Sequence, residues 1–159
     1  ALGIQSLCPN AKVLAVELYQ DAYSYLEQNI RVFSASHRNA PLPIQADARH
    51  YHTQLADGCF DLIVANPPYV SEAEYTSLAP ELFYEPKTAL VAEDDGLYFY
   101  NLIAREYRRT LKQTGALVFE IGARQGEIVT KQLQTHQYKN IWVDADVSGC
   151  DRVVSAFLL

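Results

Sequence analysis

Two kinds of hydrophobic pattern alternate along the chain. Short, nearly unbroken apolar runs occur at KVLAVE (12–17), PIQA (43–46), FDLIVA (60–65), ALVFEIG (116–122), IWVDAD (141–146) and RVVSAFLL (152–159). Runs of that length and composition predict strands covered on both faces. Between them lie segments whose apolar positions recur at helical spacing: DAYSYLEQNIRVFSAS (21–36), LYFYNLIAREYRRTLKQ (97–113) and QGEIVTKQLQTH (125–136). Asp21 reads as an N-cap of the first of these, and Gly115 as the residue that stops the second. ALGIQSL (1–7) reads as a helix end closed by Pro9 and Asn10.

The order α-β-α-β-β-α-β-α-β-β predicts an open α/β sheet with helices on both faces. No helix separates the last two strands, so one of them is expected to run antiparallel at the edge. The SGCD connection between them (148–151) does not demand a tight hairpin. Residues 67–95 form a long connection with one helical turn expected near EAEYTSL; loops of that length in a compact domain are usually functional.

Composition narrows the picture without changing it. The 159 residues suffice for one domain with a core. Thirteen basic against nineteen acidic residues leave a net charge of −6, which argues against a non-specific nucleic-acid coat, since that binding rests on Lys and Arg neutralising phosphates. No signal-peptide or membrane-spanning pattern occurs. Cys8, Cys59 and Cys150 are odd in number and contain no CxxC pair, so a reducing cytoplasm is the expected setting. His50 and His52 form an HxH, but solvated or packed histidines are commoner in such a loop than a metal pair, and no metal is assigned. The chain opens at Ala1 inside an apolar stretch and holds no Met; we therefore expect residues 1–159 to be an N-terminally incomplete catalytic domain.

Ligands of open parallel sheets sit beyond the carboxyl ends of the strands. At those ends stand Glu17, Asp47, Asn66 and Glu120. Taken singly, a carboxylate there is most often where the chain meets water. Glu17 gains weight because an acid at a strand tip is how nucleotide-binding α/β folds hold a ribose diol. Together these residues are expected to line one crevice.

Asn66-Pro67-Pro68-Tyr69 is more specific. Each residue before a proline is pushed out of the helical region, and neither proline has an N–H. The segment is therefore a stiff rim presenting acceptors, the Asn66 side-chain oxygen and the Pro67 carbonyl. Two such acceptors match the two hydrogens of a planar –NH₂, with the Tyr69 ring as a flat neighbour. Hydrogen bonds to both hydrogens localise and aim the nitrogen lone pair, so positioning and fixed dipoles replace a strong base. A plain strand stop or a polyproline ligand is the competing reading, and Tyr69 directly after the pair does not fit the Pro-Pro-x-Tyr ligand pattern.

NPPY after an apolar strand resembles the N-methyltransferases that act on planar –NH₂ groups. LAPELFYEPKTALVAEDDGLYFYNLI, GALVFEIGARQGEIV and VSGCDRVVSAF narrow the resemblance to the bacterial release factor glutamine N5-methyltransferases of the HemK/PrmC family. That resemblance implies a Rossmann-like class I methyltransferase fold, S-adenosyl-L-methionine as cofactor, and peptide chain release factors as protein substrate, through a Gly-Gly-Gln loop. It implies roles for Asn66, Pro67, Pro68 and Tyr69 at the substrate amide, with Asn66, Pro67 and Tyr69 carrying catalysis and Asn66 also bordering the methyl. Glu17 matches the ribose-binding acid and Asp47 a residue near the adenine. Ala48 departs from relatives that place a bulky ring there, and Glu85-Pro86 matches an active-site Glu-Pro. The family's first strand and glycine-rich loop are not found in the chain. The sheet is accordingly expected to have a gap, and the isolated 159 residues to bind the cofactor weakly or not at all by calorimetry. The alternatives are an adenine-N6 DNA or RNA methyltransferase, a ribosomal-protein glutamine methyltransferase, and a non-catalytic binding module.

Overall fold

The computed structural model describes residues 1–158; Leu159, the last residue of the expected final strand, lies outside them. The chain divides into two compact units, Ala1–Gln54 and Leu55–Leu159.

In the first unit, α1 (Leu2–Leu7) leads to β1 (Leu14–Glu17), α2 (Gln20–Ser34), β2 (Leu42–Gln45) and a single turn, α3 (Ala48–Tyr51), continued by a 3-10 turn over His52–Gln54. β1 and β2 pair in parallel, with Glu17 opposite Gln45. The loop between α1 and β1 is closed by Gln5, which is 1% exposed. Its Nε2 donates to the carbonyl oxygens of Ala11 (3.0 Å) and Pro9 (3.2 Å), giving these loop carbonyls a partner. The N-cap of α2 is Tyr19 rather than Asp21, which lies in the first turn without a capping bond; an acid there still favours the positive end of the helix dipole.

In the second unit, β3 (Phe60–Ala65) is followed by α4 (Glu72–Tyr75), a 3-10 turn (Pro80–Tyr84), α5 (Lys87–Leu90), α6 (Tyr98–Glu106), β4 (Leu111–Glu120), α7 (Gly126–Thr135), β5 (Lys139–Ala145) and β6 (Asp151–Phe157). The strand order is β3-β4-β6-β5. β3 and β4 are parallel, and β6 runs against both β4 and β5. The antiparallel pairing thus falls at the side where no helix separates the last two strands, with β5 outermost. The 146–150 connection is a compact hairpin loop in which Asp146 Oδ1 accepts the N–H groups of Ser148 (2.8 Å) and Cys150 (3.1 Å). No ladder joins β1-β2 to the four-stranded sheet among the described residues.

The core of this unit sits on one face of the four-stranded sheet. Leu117 and Phe119 of β4, Val154 and Ala156 of β6, Tyr100 of α6, and Val129 and Leu133 of α7 are all fully buried or nearly so. The opposite face departs from the expectation of strands covered on both sides. Leu62 and Val64 of β3 remain 43% and 50% exposed. They share a face with Ala116 and Val118 by register, while α6 and α7 pack on the Leu117/Phe119 side. Val16 of β1 and Leu42 of β2 are likewise exposed.

Helical periodicity from 97 to 113 overruns the real helix. α6 ends at Glu106, and Arg108–Thr110 tighten into a 3-10 turn that places Leu111 at the start of β4. There the Thr110 hydroxyl donates to the Tyr107 carbonyl at 2.7 Å. Gly115 is no helix stop. It lies within β4 where the register to β3 jumps from Leu111 to Ala116, and a Cβ there would stand 2.9 Å from the Lys112 carbonyl oxygen.

Candidate functional site

β3 carries the chain to Ala65, after which hydrogen-bonded pairing stops. Asn66 is exposed, Pro67 buried, and Pro68 and Tyr69 half-buried. No peptide bond in the segment is cis, so the two prolines hold it extended, as their locked φ requires. Neither the Asn66 side chain nor the Pro67 carbonyl has an intramolecular hydrogen bond among the described residues. Tyr69, by contrast, is held. Its carbonyl oxygen accepts Gln125 Nε2–H at 2.9 Å.

The peptide that follows is held as well. Val70 N–H donates to the Leu90 carbonyl (2.9 Å), and Ala92 N–H donates to the Val70 carbonyl (3.0 Å), forming an isolated parallel bridge between Val70 and Val91. Residues 71–90 are thereby closed into a loop with its own internal order, richer than the single helical turn expected. Ser71, buried, makes a reciprocal capping box with Glu74 at the start of α4. Lys87 pairs with Glu72 and lies over the Tyr75 ring at 5.0 Å. Tyr75 meets Phe83 edge-on at 5.3 Å. Glu85 ends the 3-10 turn and is exposed, as is Tyr84 at 93%. The Glu85 carboxylate makes no hydrogen bond or ion pair among the described residues, so the structure places it on the outer loop and ties it to no other candidate.

Around Tyr69 the walls are glycine. An added Cβ at Gly96 would stand 2.1 Å from the Tyr69 oxygen, and one at Gly122 would stand 3.4 Å from Tyr69 Cδ2. Gly96 comes into position at the end of a turn in which Asp94, Asp95 and Gly96 all have positive φ (57, 50 and 83°). Left-handed backbone at two non-glycine residues costs free energy and persists only where the surroundings enforce it. Tyr100, buried in α6, donates its hydroxyl to the Glu120 carbonyl (3.1 Å) and to Gln125 Oε1 (3.2 Å); burial pushes its ionisation well above the ordinary tyrosine value. Arg152 of β6 donates to the Ile121 carbonyl (3.2 Å) and pairs with Asp146 at 3.1 Å. Gln125, Gly96 and Arg152 were not singled out from sequence. The signal available for Gly96 was its place after two acidic residues that tolerate a left-handed turn.

The first unit holds the remaining candidates. Glu17 ends β1, half-buried, and its Oε1 accepts Tyr19 N–H at 2.9 Å. Ala46 N–H donates to the Glu17 carbonyl at 3.0 Å, so the ends of β1 and β2 lie side by side. Asp47 is the N-cap of α3 and accepts Arg49 N–H at 2.8 Å. Its other oxygen takes the Arg49 guanidinium, with Nη2 at 2.7 Å. The Arg49 side chain holds the Asp47 carboxyl below its ordinary pKa, with that backbone bond and the Arg49 charge acting in the same direction. Asp47 is therefore an engaged carboxylate. Ala48 opens α3 beside it. No group of three or more His, Cys, Asp or Glu able to hold a metal occurs among the described residues, the HxH at 50 and 52 included. No helix among them is long and apolar enough to cross a membrane.

Comparison with known proteins gives the site a context. No family model matches the chain. The release factor glutamine methyltransferase of Enterococcus faecalis is 34% identical over 162 residues, covering 98% of this chain and 54% of that protein. The bifunctional methyltransferase of Rickettsia conorii is 36% identical over 156 residues, covering 96% of this chain and 29% of its own length. The chain thus spans about half of the first and under a third of the second. Among solved structures, a methyltransferase from Pyrococcus furiosus superposes with a TM-score of 0.68 at 16% identity, covering 98% of this chain and 66% of that one. Fibrillarin from Aeropyrum pernix, natively bound to S-adenosyl-L-methionine, gives 0.53 at 16% identity, over 91% and 55%. Over nearly all of its length the chain is similar in sequence to release factor glutamine methyltransferases, and it shares its fold with solved methyltransferases.

Proposed function

We propose that the chain carries the methyl-acceptor site of a protein-glutamine N5-methyltransferase, with the glutamine of a release-factor Gly-Gly-Gln loop as substrate. One observation carries this reading. The Asn66 side chain and the Pro67 carbonyl are two acceptors on a proline-stiffened segment, unpaired within the described protein, immediately before a carbonyl that is firmly held. The two hydrogens of a glutamine amide donate to those acceptors, and the Tyr69 ring offers a flat surface to the amide plane. Bonding both hydrogens weakens delocalisation of the lone pair and fixes its direction. The proton that the nitrogen sheds after gaining a methyl leaves to water, so no strong base is required beside the motif.

The residues present fit S-adenosylmethionine in part. Glu17 keeps a half-buried carboxylate at a strand tip, with one oxygen braced by Tyr19 N–H, suited to a ribose diol. Asp47 is already bound by Arg49, so the backbone around Ala48 is the better candidate for contact near an adenine. When bound, the cofactor supplies an electrophilic methyl on a sulfonium sulfur. Asn66, Pro67 and Tyr69 orient the acceptor nitrogen, and Pro68 keeps the segment extended. Glu85 stands on the loop next in sequence, where a protein substrate would meet it.

An exocyclic amine of adenine would satisfy the same two acceptors. The loop after the motif weighs against nucleic acid: residues 67–95 hold seven carboxylates, at 72, 74, 81, 85, 93, 94 and 95, and one basic residue, Lys87, a poor composition for binding phosphates. Incubation of the full-length gene product with release factor, nucleic acid and labelled S-adenosylmethionine tests the reading. Label on a release-factor glutamine, located by fragment mass spectrometry, is expected; label confined to DNA, RNA or a ribosomal protein would overturn it.

A further inference from the structure

Gln125 occupies the N-cap position of α7, yet its side chain makes no capping bond to that helix. The side chain is used elsewhere. Oε1 accepts the N–H of Gly122 (2.9 Å) and the Tyr100 hydroxyl (3.2 Å). The Gly122 N–H can only donate and the Tyr69 carbonyl can only accept, which fixes which end of the amide is oxygen and leaves Nε2 to donate to the Tyr69 carbonyl at 2.9 Å. The peptide unit joining Tyr69 to Val70 is then pinned from both ends, its oxygen by Gln125 and its N–H by the Leu90 carbonyl at 2.9 Å. Room for this arrangement exists because Gly96 and Gly122 carry no Cβ. One at Gly96 would lie 2.1 Å from the Tyr69 oxygen and 3.1 Å from Gln125 Nε2, and one at Gly122 would lie 2.9 Å from Gln125 Oε1.

We propose that Gln125 is a positioning residue for methyl transfer, fixing the Tyr69–Val70 peptide plane and thereby the direction of the Pro67 carbonyl two residues upstream. The inference rests on the reading of Asn66–Tyr69 as an amide site. Four torsions separate the Tyr69–Val70 peptide from the Pro67 carbonyl, and the Pro68 ring locks one of them, so a displaced Tyr69 peptide shifts that carbonyl through a short and partly rigid span. A helix cap would need the Gln125 side chain only at its own helix; a positioning residue needs a donor aimed at Tyr69.

The test compares Gln125→Glu and Gln125→Met in the full-length gene product with release factor as substrate. Gln125→Glu keeps shape but sets a carboxylate oxygen against the Tyr69 oxygen. It should lower kcat by about 100-fold at pH 8, the scale of a misplacement near 1 Å, with KM for S-adenosylmethionine within about twofold. Its kcat relative to wild type should rise as pH falls and the carboxyl regains a proton to donate. Gln125→Met should lose activity without that pH dependence, and amide exchange at Val70 should accelerate in both variants. Wild-type-like kcat in Gln125→Glu across pH, with an active wild type, overturns the role alone. A wild type inert toward every glutamine substrate overturns the role together with the reading beneath it, whatever Val70 exchange shows.

Discussion

Gly96→Ala probes the held carbonyl from its other side. The new methyl would lie 2.1 Å from the Tyr69 oxygen and 2.8 Å from its carbonyl carbon, and both are backbone atoms that no rotamer change can move. Relief to about 3.3 Å, the near end of ordinary carbon–oxygen approach, takes roughly 1.2 Å of movement by the Asp94–Gly96 turn or the Tyr69 peptide. The substitution also places a Cβ on a residue with φ of 83°, which costs about 1–2 kcal/mol by itself. Displacing packed backbone adds about 1–2 kcal/mol more, for a total near 2–4 kcal/mol and a fall in melting temperature of roughly 5–15 °C. Differential scanning calorimetry reads the stability, and amide exchange at Val70 and Ala92 reads the bridge that the displaced peptide belongs to. Methyl transfer should fall by about 100-fold in kcat if the acceptors move with Tyr69. A variant that melts within a degree or two of wild type, with unchanged exchange at Val70 and Ala92, would refute the geometry on which the clamp is built.

Further outcomes follow from single residues. Asn66→Ala should reduce kcat by about 10²–10³-fold, the scale of losing a fixed hydrogen-bonding group at a reacting centre, while leaving the melting temperature nearly unchanged because the side chain is exposed and makes no intramolecular bond; near-wild-type turnover would end the amide-site mechanism. Arg49→Met should raise the Asp47 pKa toward the ordinary carboxylate value, since the Arg49 side chain is the main cause of its depression, but not fully, because the Arg49 N–H remains; an NMR titration showing no change would contradict that assignment. His136 is held below its ordinary pKa by burial, then by Arg105 and Arg108, and its Nε2–H donates to Asn101 Oδ1 at 2.7 Å. The unfolded chain then binds the proton first as pH falls through about 6.5, so stability drops below that pH and is recovered above it. Melting curves between pH 5.5 and 7.5 should therefore flatten in His136→Gln; an unaltered slope would show that His136 does not set it.

The sequence made the strand ends legible because apolar runs break abruptly there. FDLIVA halts at a residue that cannot continue a ladder into two prolines, and the structure ends β3 at Ala65. It misjudged α6 because Leu111, spaced as a helical residue, belongs to β4; the 3-10 turn over Arg108–Thr110, in which the Thr110 hydroxyl bonds to the Tyr107 carbonyl, separates the two. It overestimated burial at Leu62 and Val64 because an apolar run reports what a strand can tolerate, and the covering elements decide what it receives. The engagement of Asp47 was not legible either, because nothing in DAR predicts that Arg49 folds back on it. Gln125 was invisible for a related reason. A glutamine at a helix start has many ordinary uses, and its partners at 69, 100 and 122 are brought to it by tertiary structure alone.

If residues 66–69 form the proposed amide site, those partners would let a recognition loop coexist with it. Residues 71–90 order themselves through their own contacts, the Ser71–Glu74 box, the Lys87–Glu72 pair and the Tyr75–Phe83 edge, and the Val70–Val91 bridge closes them beside the motif. Tyr69, one residue earlier, is anchored to α7 and to the Gly96 turn. Strain or substrate contact at exposed Phe83, Tyr84 or Glu85 therefore reaches the motif through a peptide whose oxygen and N–H are both already bonded. A loop attached more loosely would trade specificity against aim, because each new surface contact would tilt the acceptors by some fraction of an ångström. The double attachment separates those demands: the outer loop can be shaped for a partner while the two oxygens upstream keep one direction.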